Sequence, residues 1–141
     1  MLFEMKEREG QRESDGAEDD MLDKAKRILE KAQAAGTELL LPQDTLCADD
    51  FSAEANTAIH PTHAIPDDWM GLDIGPKTRT AFVQTVLESR TILWNGPMGV
   101  FEMDVFAGGT NDVAEALAKV TAEHDAFTSL DARASHGVRS P

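Results

Sequence analysis

The chain of 141 residues carries one cysteine, 13 basic residues against 26 acidic ones, and no apolar run of membrane-spanning length. Each scarcity narrows the possibilities. Cys47 alone cannot form an internal disulfide and fits a reducing compartment. Inside Thr45-Leu46-Cys47-Ala48 it reads as a small core residue. A formal net charge of −13 argues against nucleic acid or an anionic membrane surface as partners. A membrane span needs about 18 consecutive apolar residues, and none is present. Met1-Leu2-Phe3-Glu4-Met5-Lys6 turns charged too early for a secretory signal. The expected location is cytoplasmic.

Much of the acidic excess is local. Glu4, Glu7, Glu9, Glu13, Asp15, Glu18, Asp19, Asp20 and Asp23 face only Lys6, Arg8 and Arg12. So little apolar content favours a disordered acidic head over residues 1–17. The remainder has the length of one domain and, at 41% hydrophobic overall, a globular composition. There are no internal repeats.

Periodicity predicts a helix from Asp20 to Ala35, with Leu22, Ala25, Leu29 and Ala32 on one face and Gly36 ending it. Glu38-Leu39-Leu40-Leu41 reads as a strand stopped by Pro42, which that helix would cover. Residues 45–48 read as a short strand, Asp49 to Asp68 as mostly loop, and Met70 to Ile74 as another strand. Pro76 suits the first turn of a helix running to about Ser89, with Phe82, Val86 and Leu87 buried. Thr91 to Trp94 follows as a buried strand. In the last helix Thr110 is placed to cap, Asp112 lies in the first turn, and Val113, Leu117 and Val120 mark the inner face. Ala126-Phe127-Thr128 starts one more strand. Strands alternating with helices predict a three-layer α/β fold with an incomplete, Rossmann-like parallel sheet.

The richest stretch is Trp94-Asn95-Gly96-Pro97-Met98-Gly99-Val100-Phe101-Glu102. Two glycines and a proline force a tight turn after a strand, the place where open α/β sheets hold ligands. Glu102 stands just past the turn, where a carboxylate can accept from sugar hydroxyls. An ordinary strand-to-helix connection would look similar. This nonapeptide resembles the nucleotide-site motif of phosphoglycerate kinase, and other blocks agree in order. They are Leu39-Leu40-Leu41-Pro42, Ala48-Asp49 with Phe51 and Ala55-Asn56-Thr57, Ala64 through Pro76, and Phe106-Ala107-Gly108-Gly109-Thr110. The likeness covers roughly residues 18–127, and residues 18–128 would form part of the family's C-terminal nucleotide-binding domain.

The resemblance implies roles. Gly71, Leu72, Gly96 and Pro97 would line an adenine pocket, with Val100 and Phe101 as apolar wall. Glu102 would hold the ribose hydroxyls and Asn95 would lie near the phosphates. It also implies ATP or ADP with Mg2+ as ligands, and ATP:3-phosphoglycerate phosphotransfer in glycolysis as the family reaction. Phosphoryl transfer needs cations and N–H donors around the phosphates. The family's N-terminal domain, its Gly-rich loop with lysines and its Gly-Gly-Gly-Asp turn have no counterpart here. Residues 129–141 do not match the family and contain no glycine cluster, as an out-of-frame continuation would. The expectation is therefore weak nucleotide binding without catalysis. The alternatives are a non-catalytic fragment docking through an open sheet edge on a complementing kinase chain, or a non-functional gene remnant.

Two further features read as structural. His60 and His63, near Asp67 and Asp68, have a ligand-like spacing but no supporting cluster, so no metal site is expected. The helix starts at Gly75-Pro76 and Gly108-Gly109-Thr110 read as caps rather than phosphate cradles.

Overall fold

A computed structural model describes residues 16–124 and 127–130. The acidic head expected to be disordered, residues 1–17, lies outside the described residues except at Gly16 and Ala17, which open a helix, and the expected tail, residues 129–141, lies outside them from 131 onward. Helix α1 spans Gly16–Ala34, β1 Asp44–Ala48, β2 Thr57–Pro61 and β3 Met70–Ile74. Helix α2 (Pro76–Glu88), β4 (Thr91–Trp94), a 3-10 turn (Asp104–Phe106), α3 (Gly108–His124) and β5 (Phe127–Leu130) follow.

The fold is mixed α/β, and its main sheet differs from the expected parallel one. Strands β2, β1 and β3 form an antiparallel sheet with β1 in the centre, Thr45 lying opposite His60 on one side and Ile74 on the other. Residues 49–56 and 62–69 hold no helix. The first connection returns the chain antiparallel to β1, and the second carries it past β1 to the other edge, so β2 and β3 run in the same direction without pairing. Parallel pairing among the described residues is confined to β4 and β5, where α3 provides the crossover.

Two other expectations change. The loop expected over 49–68 contains β2, whose alternating half-buried Ala58 and His60 give only a weak strand signal. Leu39, Leu40 and Leu41 form no strand and remain 44%, 37% and 41% exposed. Helix α1 starts earlier than expected and covers no sheet, leaving Ile28 and Leu29 about half exposed. Gly36 does end it, with φ +66.

Two apolar clusters hold the rest. Trp94, Val113 and Leu117 pack with Phe82, Val86, Ile92 and Met98 between α2, α3 and β4. Ala48, Leu72 and Phe106 form the second, joined by Leu46, Met70, Val100 and Met103. Leu87 is only half-buried.

Helix α2 is fastened to β1 by Asp44. Its carboxylate accepts from the N–H groups of Lys77 (3.0 Å) and Thr78 (2.8 Å), two donors that a helix start leaves without partners. The Thr78 hydroxyl in turn accepts from the N–H groups of Gln43 and Asp44 at 2.9 and 3.1 Å. Burial pushes the Asp44 carboxyl up, but bonds from Thr78 and Lys77 and the Lys77 charge outweigh it, leaving a pKa below the usual one. A depressed carboxyl pKa stabilises above the ordinary carboxylate value, and the benefit is lost as pH falls through the lowered one. Asp44→Asn should therefore cost about 2 kcal/mol at neutral pH in urea unfolding. The gap between variant and wild type should close in acid; a gap independent of pH would contradict this role.

Candidate functional site

The end of β3 and the turn after β4 meet through the backbone. Leu72, 7% exposed, accepts from the Val100 N–H through its carbonyl at 2.8 Å. Their side chains share the cluster around Phe106. The approach is close because position 99 is glycine: a Cβ there would lie 2.5 Å from the Leu72 carbonyl oxygen and 2.8 Å from Asp73 Cα. The turn is held at a second point, where the Met98 N–H donates to the Thr110 hydroxyl at 3.1 Å. Gly96 takes φ +83, the left-handed conformation that glycine permits.

Leu72 and Val100 are thus brought together, while Gly71 faces Thr45 and Ile65. Phe101 is half-buried on the turn, its N–H donating to the Gly99 carbonyl at 2.9 Å. Asn95, Pro97 and Glu102 stand exposed, and no hydrogen bond among the described residues ties their side chains to β3. The result is a half-buried Val100 seated over the buried Leu72, beside a solvent-facing carboxylate at Glu102. Such a surface suits a flat ring with a hydroxyl-bearing substituent.

Sequence reasoning missed Asp73. It is 4% exposed, and its oxygens accept from the N–H groups of Ile74 (2.8 Å) and Gly109 (2.7 Å). Its only sequence signal is a charge inside an apolar strand. Burial raises its pKa; the Gly109 and Ile74 N–H groups and nearby Arg79 oppose that, Asp112 adds to it, and the net shift is upward. Thr110 also differs from expectation. It lies inside α3 rather than at its cap, and its hydroxyl serves the turn. Asp112 pairs with Arg79 at 2.6 Å, with both side chains about one-third exposed.

Both helix starts already hold a carboxylate of this chain, Asp44 at α2 and Asp73 at α3. A phosphate would meet negative charge there. His60 lies edge-on to Trp69, ring centroids 5.4 Å apart. No group of three or more His, Cys, Asp or Glu that could hold a metal ion occurs among the described residues. The described residues therefore offer no cluster that would hold Mg2+ on side chains of this chain alone.

A sequence profile described as phosphoglycerate kinase matches residues 1–130. The chain belongs to the phosphoglycerate kinase family. It is 56% identical over 104 residues to the phosphoglycerate kinase of Chloroherpeton thalassium, covering 74% of this chain and 26% of that relative. Over the same length it is 54% identical to phosphoglycerate kinase 3, cytosolic, of Arabidopsis thaliana, again 74% of this chain and 26% of the relative. Among solved structures, phosphoglycerate kinase from Coxiella burnetii superposes with a TM-score of 0.73 at 34% identity, covering 79% of this chain and 28% of that one. The chain spans about a quarter of the length of the relatives it matches. Among the described residues no helix is long and apolar enough to cross a membrane.

Proposed function

We propose that this chain recognises the adenosine part of ATP or ADP where β3 meets the turn of residues 95–102. The observation that carries this reading is the Val100 N–H bond to the Leu72 carbonyl at 2.8 Å, which makes one surface of two distant sequence blocks. Gly71, Leu72, Gly96, Pro97, Val100 and Phe101 would take the base, and Glu102 the ribose hydroxyls. Asn95 would face the phosphates. The family reaction, ATP:3-phosphoglycerate phosphotransfer, belongs to this proposal only as the chemistry of a complete site. With the described helix starts occupied by carboxylates, affinity would come from base and sugar and be weak.

Calorimetric titration with ADP tests the reading. Glu102→Gln should weaken binding about tenfold, the worth of charge-assisted bonds to two hydroxyls. Because Glu102 is exposed, its unfolding midpoint should not move. Equal affinity of variant and wild type would remove Glu102 from the site.

A second reading has its own observation. Leu93 is 79% exposed beside a groove of about 260 Å³ lined by Leu40, Phe82, Val86, Ile92 and Met98. An apolar edge of this kind supports a non-catalytic fragment that completes its sheet on a complementing kinase chain. Co-purification with such a fragment would favour it, and a stable monomer in the fragment's presence would count against it.

A further inference from the structure

The Asp73 carboxylate occupies the junction of three elements. It belongs to β3, it caps the start of α3 through the Gly109 N–H at 2.7 Å, and Gly99 of the turn lies against it. A Cβ on Gly99 would come 2.6 Å from Asp73 Oδ1, and one on Gly109 would come 2.4 Å from the same oxygen. Both glycines are thus cut to the shape of this carboxylate. One residue past Gly109, Thr110 accepts from the Met98 N–H. A continuous path therefore runs from Asp73 through the first turn of α3 to the loop that carries Val100, Phe101 and Glu102.

We propose that Asp73 is a positioning residue for nucleotide recognition, holding the start of α3 so that Thr110 can fix the turn of residues 95–102 over Leu72. The inference rests on the nucleotide-site reading but makes a separate statement about the free chain. An ionised carboxylate suits the task because it only accepts, and both groups it meets, Ile74 and Gly109, only donate. Asparagine keeps the shape but turns one acceptor into a donor facing an N–H. The charged side chains facing Asp73 are Arg79 of α2, which favours its ionised form, and Asp112 of α3, which opposes it.

The test compares wild type with Asp73→Asn, Thr110→Val, their combination and Asp112→Asn. It measures amide hydrogen exchange in the free chain and ADP affinity. Asp73→Asn and Thr110→Val should each speed exchange at Met98 about tenfold while Val120, in the core of α3, exchanges as in wild type. Each should weaken ADP about tenfold, and the double variant should be no worse than either single, because both cut one path. Asp112→Asn should stay within about twofold of wild type, as expected of a partly exposed ion pair. Unchanged exchange at Met98 in Asp73→Asn, or equal acceleration at Val120, would overturn the proposal.

If Asp73→Asn does not fold, the wild-type chain decides. Acid titration of the wild type should move the Asp73 carboxyl carbon and the Gly109 and Met98 amides with one midpoint shared by all three, and in Asp112→Asn the three should shift together to a lower midpoint. Movement of Gly109 without Met98 would overturn the proposal. Failure of the wild type to bind ADP would refute the nucleotide reading, while exchange at Met98 would still decide what Asp73 holds.

Discussion

Gly99→Ala should abolish detectable ADP binding and lower stability by about 3 kcal/mol, at the upper end of overpacking costs. The methyl group would meet the Leu72 carbonyl oxygen at 2.5 Å and Asp73 Cα at 2.8 Å. These are backbone atoms of β3 and cannot rotate away. The turn would have to lift, breaking the Val100 N–H bond to Leu72 and drawing Val100 out of the cluster around Phe106. Gly96→Ala in the same turn provides the contrast. No atom lies within 4 Å of its added Cβ, so only its φ of +83 is strained, worth about 1 kcal/mol. Urea unfolding of both variants, with calorimetric ADP titration, checks the pair. Equal costs at the two positions would mean that the turn is not seated on β3 as described.

Phe106→Ala should be the most damaging single truncation, costing about 3–5 kcal/mol. Phe106 is fully buried, closing the short 3-10 turn and packing against Ala48 of β1 and Leu72 of β3. Around it Leu46, Met70, Val100 and Met103 come from three separate segments, so no one neighbour can collapse into the space left behind. A chain of this length has a total stability of only about 5–15 kcal/mol, and the loss could unfold much of the population at 37 °C. Phe101→Ala, on a half-exposed ring in the same region, should cost far less. A Phe106→Ala variant with a wild-type urea midpoint would refute the second cluster as a core.

The elements with local signals were legible in the sequence. Strand β3 and the strand before the turn begin and end where their apolar runs and the flanking Gly75-Pro76 and Asn95-Gly96 place them. Helix α2 starts at Pro76 for the reason expected, its missing N–H costing nothing at a first turn. The turn itself declared its shape through Gly96 and Pro97. What stayed hidden depends on partners distant in the chain. Asp44 and Thr78 lie 34 residues apart, and nothing near Asp44 marks it as the cap of a helix. Asp73 and Gly109 are 36 apart, so a charge in a buried strand had no visible partner. Leu39-Leu40-Leu41 shows the converse. An apolar run predicts a strand, but a strand exists only when another pairs with it, and among the described residues none does.

The parallel sheet was over-read for a related reason. Alternation of strands and helices predicts parallel pairing of the two strands that each helix joins, which here holds for β4 and β5 but not for β3 and β4, which α2 links across two separate sheets. Missing β2 hid the helix-free connections on both of its sides. Of the candidate site, the block motifs identified which residues to inspect. Only the fold shows that Leu72 and Val100 touch while Asn95, Pro97 and Glu102 face solvent.

The most direct test is an amide correlation spectrum of the purified chain titrated with Mg-ADP. A dispersed spectrum with shifts confined to residues 71–72 and 95–102 is the expected result, and would show that the meeting of β3 and the turn recognises nucleotide. A dispersed spectrum in which those amides stay still, or in which the shifts fall on other elements, would contradict it.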